Sequence, residues 1–200
     1  MLIVNEYACS HFENNLFTTQ DGQDIGMSYL SERGFNENII KKFRLGYSLD
    51  SNNALFKEAV AKGYNKQYLF DTGLCIDDKR GGGYDRFKGR VVFPIFSVAG
   101  KVIAFSARTL KNDQAKYVNS PESTIYKKSN ELFGIYQAKQ AIVKQNKCFL
   151  VEGNADVVSM HQAGIENTIA SLGTALTENQ VRMTHRITAK VTEKYEGDTA

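Results

Sequence analysis

"CFLVEGNADVVSM", Cys148 to Met160, is the stretch from which the fold is read. An apolar run ends in Glu152-Gly153, and Asp156 opens a second apolar segment. The first run reads as a buried strand and the second as a helix, with Asn154 or Asp156 satisfying its first amides as an N-cap. That role leaves Glu152 unexplained. A carboxylate at the end of a core strand is costly unless it is paired or has a chemical task.

The pattern continues downstream. "ADVVSMHQAG" reads as a helix ended by Gly164, and "NTIASLG" as a strand. "LTENQVRMTHRIT" is a helix with Thr177 at its cap and Gln180 at capping-box spacing. "AKVTEKYEGD" is a third strand, although it carries Glu193 and Lys194 where a central parallel strand is normally apolar. Strand–helix–strand–helix–strand with short connections predicts parallel pairing through right-handed crossovers. Reactive groups in such sheets gather at the carboxyl ends of the strands. Glu152 ends the first strand and Glu196 and Asp198 end the third, so these carboxylates are expected on one edge.

Upstream, the pattern changes twice. "RVVFPIFSVAGKVIAFSARTL" (Arg90–Leu110) is two β-branched and aromatic runs around a hairpin-like turn. A polar loop follows and ends in a helix expected over about 129–145. Before Gly81 the spacing is helical: residues 3–18, two short helices within Gly22–Ser48, and a similar pair within Asn52–Asp78. Gly34 and Gly63 are the expected helix stops, Asn36 a cap and Thr72-Gly73 a break.

The 200 residues are 42% hydrophobic and 24% charged, enough for one ordinary domain or two small ones. No apolar run approaches the roughly 20 residues of a membrane span. The N-terminus lacks the basic start of a secretory signal, so a cytoplasmic location is expected. Cys9, Cys75 and Cys148 are odd in number and far apart, which fits a reducing compartment and excludes a Cys-x-x-Cys site. With three histidines, any metal is expected on oxygen ligands, and His161 and His185 are read as surface or helix residues without a role.

A net charge of +3 hides an asymmetry. Residues 79–147 hold 14 basic and 4 acidic side chains, while the segments on either side are net acidic. A solvated lysine-rich surface would explain this; so would a polyanion partner. Carboxylates crowded on one rim repel unless a cation sits among them, and oxygen-only ligands suit Mg²⁺ or Mn²⁺. A basic groove beside such a rim is the arrangement phosphoryl transfer needs.

These residues resemble a known family, the bacterial primases of the DnaG type, in their RNA polymerase core. "YDRFKGRVVFPIF" (Tyr84–Phe96) is similar to the first basic motif. "GKVIAFSARTL", "AKYVNSPES" and "IYKKSNELFGIY" resemble the stretch that binds template and nucleotide. "LVEGNADVVSMHQAGIENTIASLGTALT" is similar to the start of the Toprim fold, with "YEGDTA" where that fold has Asp-x-Asp. The resemblance implies a fold of class α+β / α/β. Residues 1–127 would form an N-terminal subdomain, helical over 1–78 and basic and strand-rich over 79–127. Residues 128–200 would form a partial Toprim subdomain.

The resemblance also implies roles. Glu152 and Asp156 would be catalytic, and Glu152, Glu196 and Asp198 would hold Mg²⁺ or Mn²⁺. Arg86, Lys88 and Arg90 would face nucleic acid. Arg108, Lys116, Tyr117, Asn119 and Ser120 would hold the template or initiating nucleotide, and Lys128 would approach phosphate. The implied activity is DNA-directed synthesis of RNA primers in replication, from ribonucleoside triphosphates on a single-stranded DNA template. The implied partner in the primosome is a replicative helicase, reached through a C-terminal domain that this chain does not contain. Zinc would belong to a zinc-ribbon domain, also absent from these residues. Glu196 stands where the family has Asp, and the sequence stops at Ala200, before the later Toprim strands. A non-catalytic fragment that binds single-stranded DNA is therefore the alternative expectation. A Toprim nuclease or topoisomerase is a third, opposed by the Arg108–Ser120 stretch.

Overall fold

The computed structural model describes residues 1–111, 115–173 and 176–193. Helices α1 (Leu2–Thr18), α2 (Ser28–Glu32) and α3 (Glu37–Phe43) come first, with a π-helical turn over Gly22–Met27. Strand β1 (Gly46–Ser48), helices α4 (Ala54–Ala61) and α5 (Lys66–Asp71) and strands β2 (Cys75–Asp77) and β3 (Gly83–Asp85) follow. Then come β4 (Arg90–Phe96), β5 (Val102–Thr109), β6 (Tyr117–Asn119), a 3₁₀ turn (Lys128–Asn130), β7 (Leu132–Phe133) and α6 (Ile135–Gln145). The last third runs β8 (Cys148–Val151), α7 (Asn154–Gln162), β9 (Thr168–Ser171), α8 (Glu178–His185) and β10 (Val191–Glu193).

The chain is mixed α and β and divides into two compact units. The first comprises Met1–Gly34, Arg44–Pro94 and Lys101–Ile125. Its sheet has the order β1-β4-β5-β6, with β1 antiparallel to β4 (Tyr47 opposite Val91) and β5 antiparallel to β6 (Arg108 opposite Tyr117). Strand β4 is buried along its whole length, which is why it reads as a continuous apolar run rather than an alternation. Helix α1 presents Val4, Ala8, Phe12 and Leu16 at helical spacing to this core. Strand β1 lies within the stretch Gly22–Ser48, read only as two short helices. Three residues carry little local signal, and pairing with β4 decides their conformation.

In the same unit, β2 and β3 form a separate hairpin. Asp85 at its end is 7% exposed, and its carboxylate accepts from the backbone N–H of Leu55 at 2.8 Å and of Phe56 at 3.0 Å. Helix α4 has no side-chain cap of its own, so this distant carboxylate satisfies its first amides. Burial pushes the Asp85 carboxyl pKa up, and the two amides oppose that shift.

The second unit comprises Phe35–Phe43, Ile95–Gly100 and the chain from Tyr126 onward. Its sheet order is β10-β8-β9-β7. Strand β8 is parallel to β9 (Leu150 opposite Ile169) and to β10 (Thr192 opposite Phe149), as the crossovers require. Strand β7 adds an antiparallel edge with Phe133 opposite Ala170. One core joins Leu132, Ile135, Ile142, Cys148, Leu150 and Ile169, with Leu176, Met183 and Ile187 packed against it. Elsewhere in the unit, α3 meets α7: the Phe43 ring lies 5.8 Å from Phe133 and 4.9 Å from His161.

One expectation is corrected here and a second is narrowed. The helix expected from Ser129 begins at Ile135, because Gly134 sits at φ +80° and breaks the helix before it. Of the two places expected for His161, surface or helix, it takes the helix, in α7. It is 3% exposed, and its Nε2 lies 2.9 Å from the Thr168 carbonyl. A carbonyl only accepts, so Nε2 carries the proton, and buried Nδ1 has no partner. Burial lowers its pKa to about 4.

Candidate functional site

In the first unit, a cleft of about 540 Å³ is lined by Asp24, Tyr29, Glu32, Arg108, Lys111 and Lys116 among others. Strand β5 supplies Arg108, and β6, paired directly opposite, supplies Tyr117. The Arg108 guanidinium lies 4.9 Å from the Tyr29 ring centroid and 5.8 Å from that of Tyr117. Its Nη1 donates to the Tyr29 hydroxyl, while buried Nε has no partner among the described residues. Burial raises the Tyr29 pKa, and Arg108 and Arg33 oppose that rise. Lys116 and Tyr117 are exposed. A planar cation beside two aromatic rings, with exposed Lys116 on the same groove, suits a phosphate backbone with stacked bases.

The other basic residues expected at nucleic acid have structural partners. Arg86 is half-buried and donates from Nε to the Gly73 carbonyl at 2.6 Å; burial lowers its pKa. The Lys88 ammonium donates to Asn52 at 2.8 Å and lies 3.6 Å from Asp50. Arg90 is 9% exposed, with Nη1 on the Lys88 carbonyl. Asn119 is half-buried opposite Ser106 in the β5–β6 ladder. Ser120 is buried and accepts the Phe105 N–H through Oγ at 3.0 Å.

In the second unit, Glu152 is exposed immediately after β8, at the carboxyl end of the parallel strands. Asp156 accepts the Gly153 N–H through Oδ2 at 3.0 Å, so it caps α7 as read from the sequence. The third strand runs parallel to β8 and brings Glu193 opposite Leu150. Glu196 and Asp198, the other expected ligands, lie outside the described residues. Among the described residues no three acidic, histidine or cysteine side chains gather as a metal cluster. Exposed Glu152 and the second oxygen of Asp156 are hard donors of the kind Mg²⁺ accepts while keeping most of its waters. Lys128 reaches the same edge: a Cβ built on Gly173, two residues past β9, would lie 3.7 Å from its Nζ.

Two family models match successive stretches of the chain. The family model of the DNA primase catalytic core, N-terminal domain, matches residues 11–139, and that of the Toprim domain matches 146–199. The chain belongs to the DNA primase family. The DNA primase of Halalkalibacterium halodurans is 39% identical over 201 residues, covering 100% of this chain and 33% of the relative. The chain thus spans about a third of the length of the curated primases it matches. The RNA polymerase domain of Mycobacterium tuberculosis primase DnaG superposes with a TM-score of 0.92 at 34% identity, over 99% of this chain and 66% of that one. A DnaG primase catalytic domain solved bound to ssDNA gives 0.90 at 34%, over 99% and 61%.

Two features of this primase-family chain escaped sequence reasoning. Tyr29 and Arg33, whose guanidinium lies 5.3 Å from the Tyr29 centroid, come from a segment read only as a helix. Their spacing of four residues, an aromatic and a cation on one helix face, was the available signal. The other is Gly73. At φ +69° it lets Pro121 sit where a Cβ would lie, 2.1 Å from the proline Cδ, while its carbonyl holds Arg86. The "YDRF" and "NSP" segments therefore meet at a turn read only as a helix break.

Proposed function

We propose that this chain is part of a primase RNA polymerase core, and that its first unit holds single-stranded DNA template through the cleft of Tyr29, Arg108 and Lys116, with Tyr117 beside Arg108. DNA-directed synthesis of RNA primers from ribonucleoside triphosphates is the activity it serves. Residues 1–127 and 128–200 would be its two functional subdomains, with Phe35–Phe43 and Ile95–Gly100 of the former packed in the second compact unit. The observation that carries the reading is Arg108 on β5, in the most basic part of the chain, held beside Tyr117 of β6 and Tyr29 of α2. That fixed geometry lowers the entropy lost when a base or phosphate docks.

In the second unit, Glu152 with Glu196 and Asp198 would hold Mg²⁺ or Mn²⁺, and Asp156 would support Glu152. The metal supplies neutralisation of the charge that develops on the transferred phosphoryl group. Glu152 would help hold the metal or take up a proton, since Asp156 and not Glu152 caps α7. Lys128 would meet the phosphates of the incoming ribonucleotide.

Binding of a fluorescent DNA single strand, followed by anisotropy at 50 and 200 mM salt, tests the cleft. Arg108→Ala is expected to weaken binding about tenfold and to flatten the salt slope by about 0.7. Affinity that ignores salt would refute the reading. Template-dependent primer synthesis that survives Glu152→Gln would refute the role of that carboxylate.

A further inference from the structure

Gln180 lies in the first turn of α8 and is 1% exposed. Its Oε1 accepts the Thr177 N–H at 3.0 Å, which completes the helix cap. Its Nε2 makes two more bonds, to the Lys128 carbonyl at 3.1 Å and to the Glu131 carbonyl at 2.8 Å. Thr177 Oγ1 donates to the Ser129 carbonyl, and Asn179 donates to the Asn130 side chain at 2.8 Å. Each of the four consecutive residues 128–131 is thus tied to the start of α8.

A capping box needs only an acceptor at this position, and glutamate would serve as well as glutamine. The carbonyls of Lys128 and Glu131 need a donor. The carboxamide is the side chain that answers both demands, with both of its N–H groups in use. The segment it grips carries Lys128, whose ammonium lies beside Gly173 at the carboxyl edge of the parallel strands.

We propose that Gln180 is a positioning residue: its carboxamide clasps the turn Lys128–Asn130 and so fixes the Lys128 ammonium where it meets a nucleoside triphosphate. This rests on the reading of Lys128 as a phosphate contact. Without the clasp the turn is three residues of 3₁₀ helix, too short to hold its own geometry. The long lysine side chain then samples many rotamers, and its contribution to phosphate binding falls.

The decisive variant is Gln180→Glu. It keeps the capping acceptor and turns the donors into a carboxylate facing two carbonyls. Gln180→Met, which keeps the volume and removes all three side-chain bonds, is the second variant should the first not fold. Two measurements are made on the whole 200-residue chain. The first is ligand-free: lysines are reductively methylated with ¹³C, and the Lys128 signal is identified by its loss in Lys128→Ala. It is expected to be resolved in the wild type and to merge with the mobile lysines in either Gln180 variant. The second is titration with GTP and Mg²⁺. Lys128→Ala is expected to weaken binding about tenfold, Gln180→Glu about fivefold, and the double variant no more than Lys128→Ala alone. A Lys128 signal unchanged in both Gln180 variants overturns the clasp and leaves the reading of Lys128 standing. Equal GTP affinity in wild type and Lys128→Ala removes that reading, and the clasp's proposed function with it. Fully additive losses in the double variant would show that Gln180 acts on stability and not through Lys128.

Discussion

Replacing His161 by Phe should remove a pH dependence that its burial builds into the second unit. The neutral ring donates from Nε2 to Thr168, and protonation would place a second N–H at Nδ1, where no acceptor stands. The folded pKa of about 4 lies below the value of about 6.5 for a free imidazole. Between these values the unfolded chain binds the proton and the folded chain does not. Stability is therefore full above about pH 6.5, is lost as pH falls, and stops falling below about pH 4. Linkage gives a loss of about 2 kcal/mol between pH 7 and 5, and about 3 kcal/mol by pH 4. Lys42 and Glu166, paired at 2.5 Å nearby, act on the imidazole in opposite directions and leave burial dominant. Urea unfolding followed by circular dichroism at pH 4, 5, 6 and 7 reads the effect as the difference between wild type and His161→Phe. The variant loses the Thr168 hydrogen bond, about 1 kcal/mol at every pH, but its curve should be flatter by the amounts above. Curves that run parallel within about 0.5 kcal/mol would show that His161 takes up its proton without unfolding, and the reasoning would fail.

Glu131 pulls the other way in the same window. Its Oε2 is buried without a partner, and burial raises its pKa to about 7, so the folded chain keeps a proton that the unfolded chain releases. Stability from this group is full below about pH 4.5 and falls as pH rises through 7; Glu131→Gln should gain up to about 1 kcal/mol at pH 8, after allowance for water reaching the carboxylate, and little at pH 4.5. Asp85→Asn should destabilise the first unit by about 1–2 kcal/mol, since a neutral amide accepts more weakly from two backbone N–H groups. Amide exchange at Leu55 and Phe56 should accelerate more than at Leu69, and equal acceleration would count against the cap. Gly73→Ala should cost at least about 2 kcal/mol in chemical unfolding, because an alanine resists positive φ and its Cβ would displace Pro121.

The strand–helix alternation of the last third was legible because each element carries its own signal. Thr177 and Gln180 form the cap that their spacing announces, and Gly164 stands at φ +85° one residue beyond the C-cap of α7. Elements of two or three residues were not legible: β1 and β7 exist through their partners, Val92 and Ala170 among them, and not through local preference. Helix α3 was readable as a helix, yet nothing local says that Phe43 packs with Phe133 in the second unit. At the site, residue types were legible and their engagement was not. Arg86, Lys88 and Arg108 look equivalent in the sequence, but only a folded chain shows that two of them hold backbone or carboxamide oxygens while the third stands beside two rings.

Asp85 has a consequence for the order in which the molecule comes together. Helix α4 is eight residues long, too short to persist alone in water. Its cap sits thirty residues downstream of Leu55. On a ribosome the residues of α4 emerge before their cap is made, and β1 emerges before β4, the strand it pairs with. The first half of the chain is thus held in waiting during synthesis, and it consolidates when the segment from Tyr84 to Phe96 arrives. That same segment lies in the basic middle of the chain, where Arg86 and Lys88 tie it back to Gly73 and Asn52.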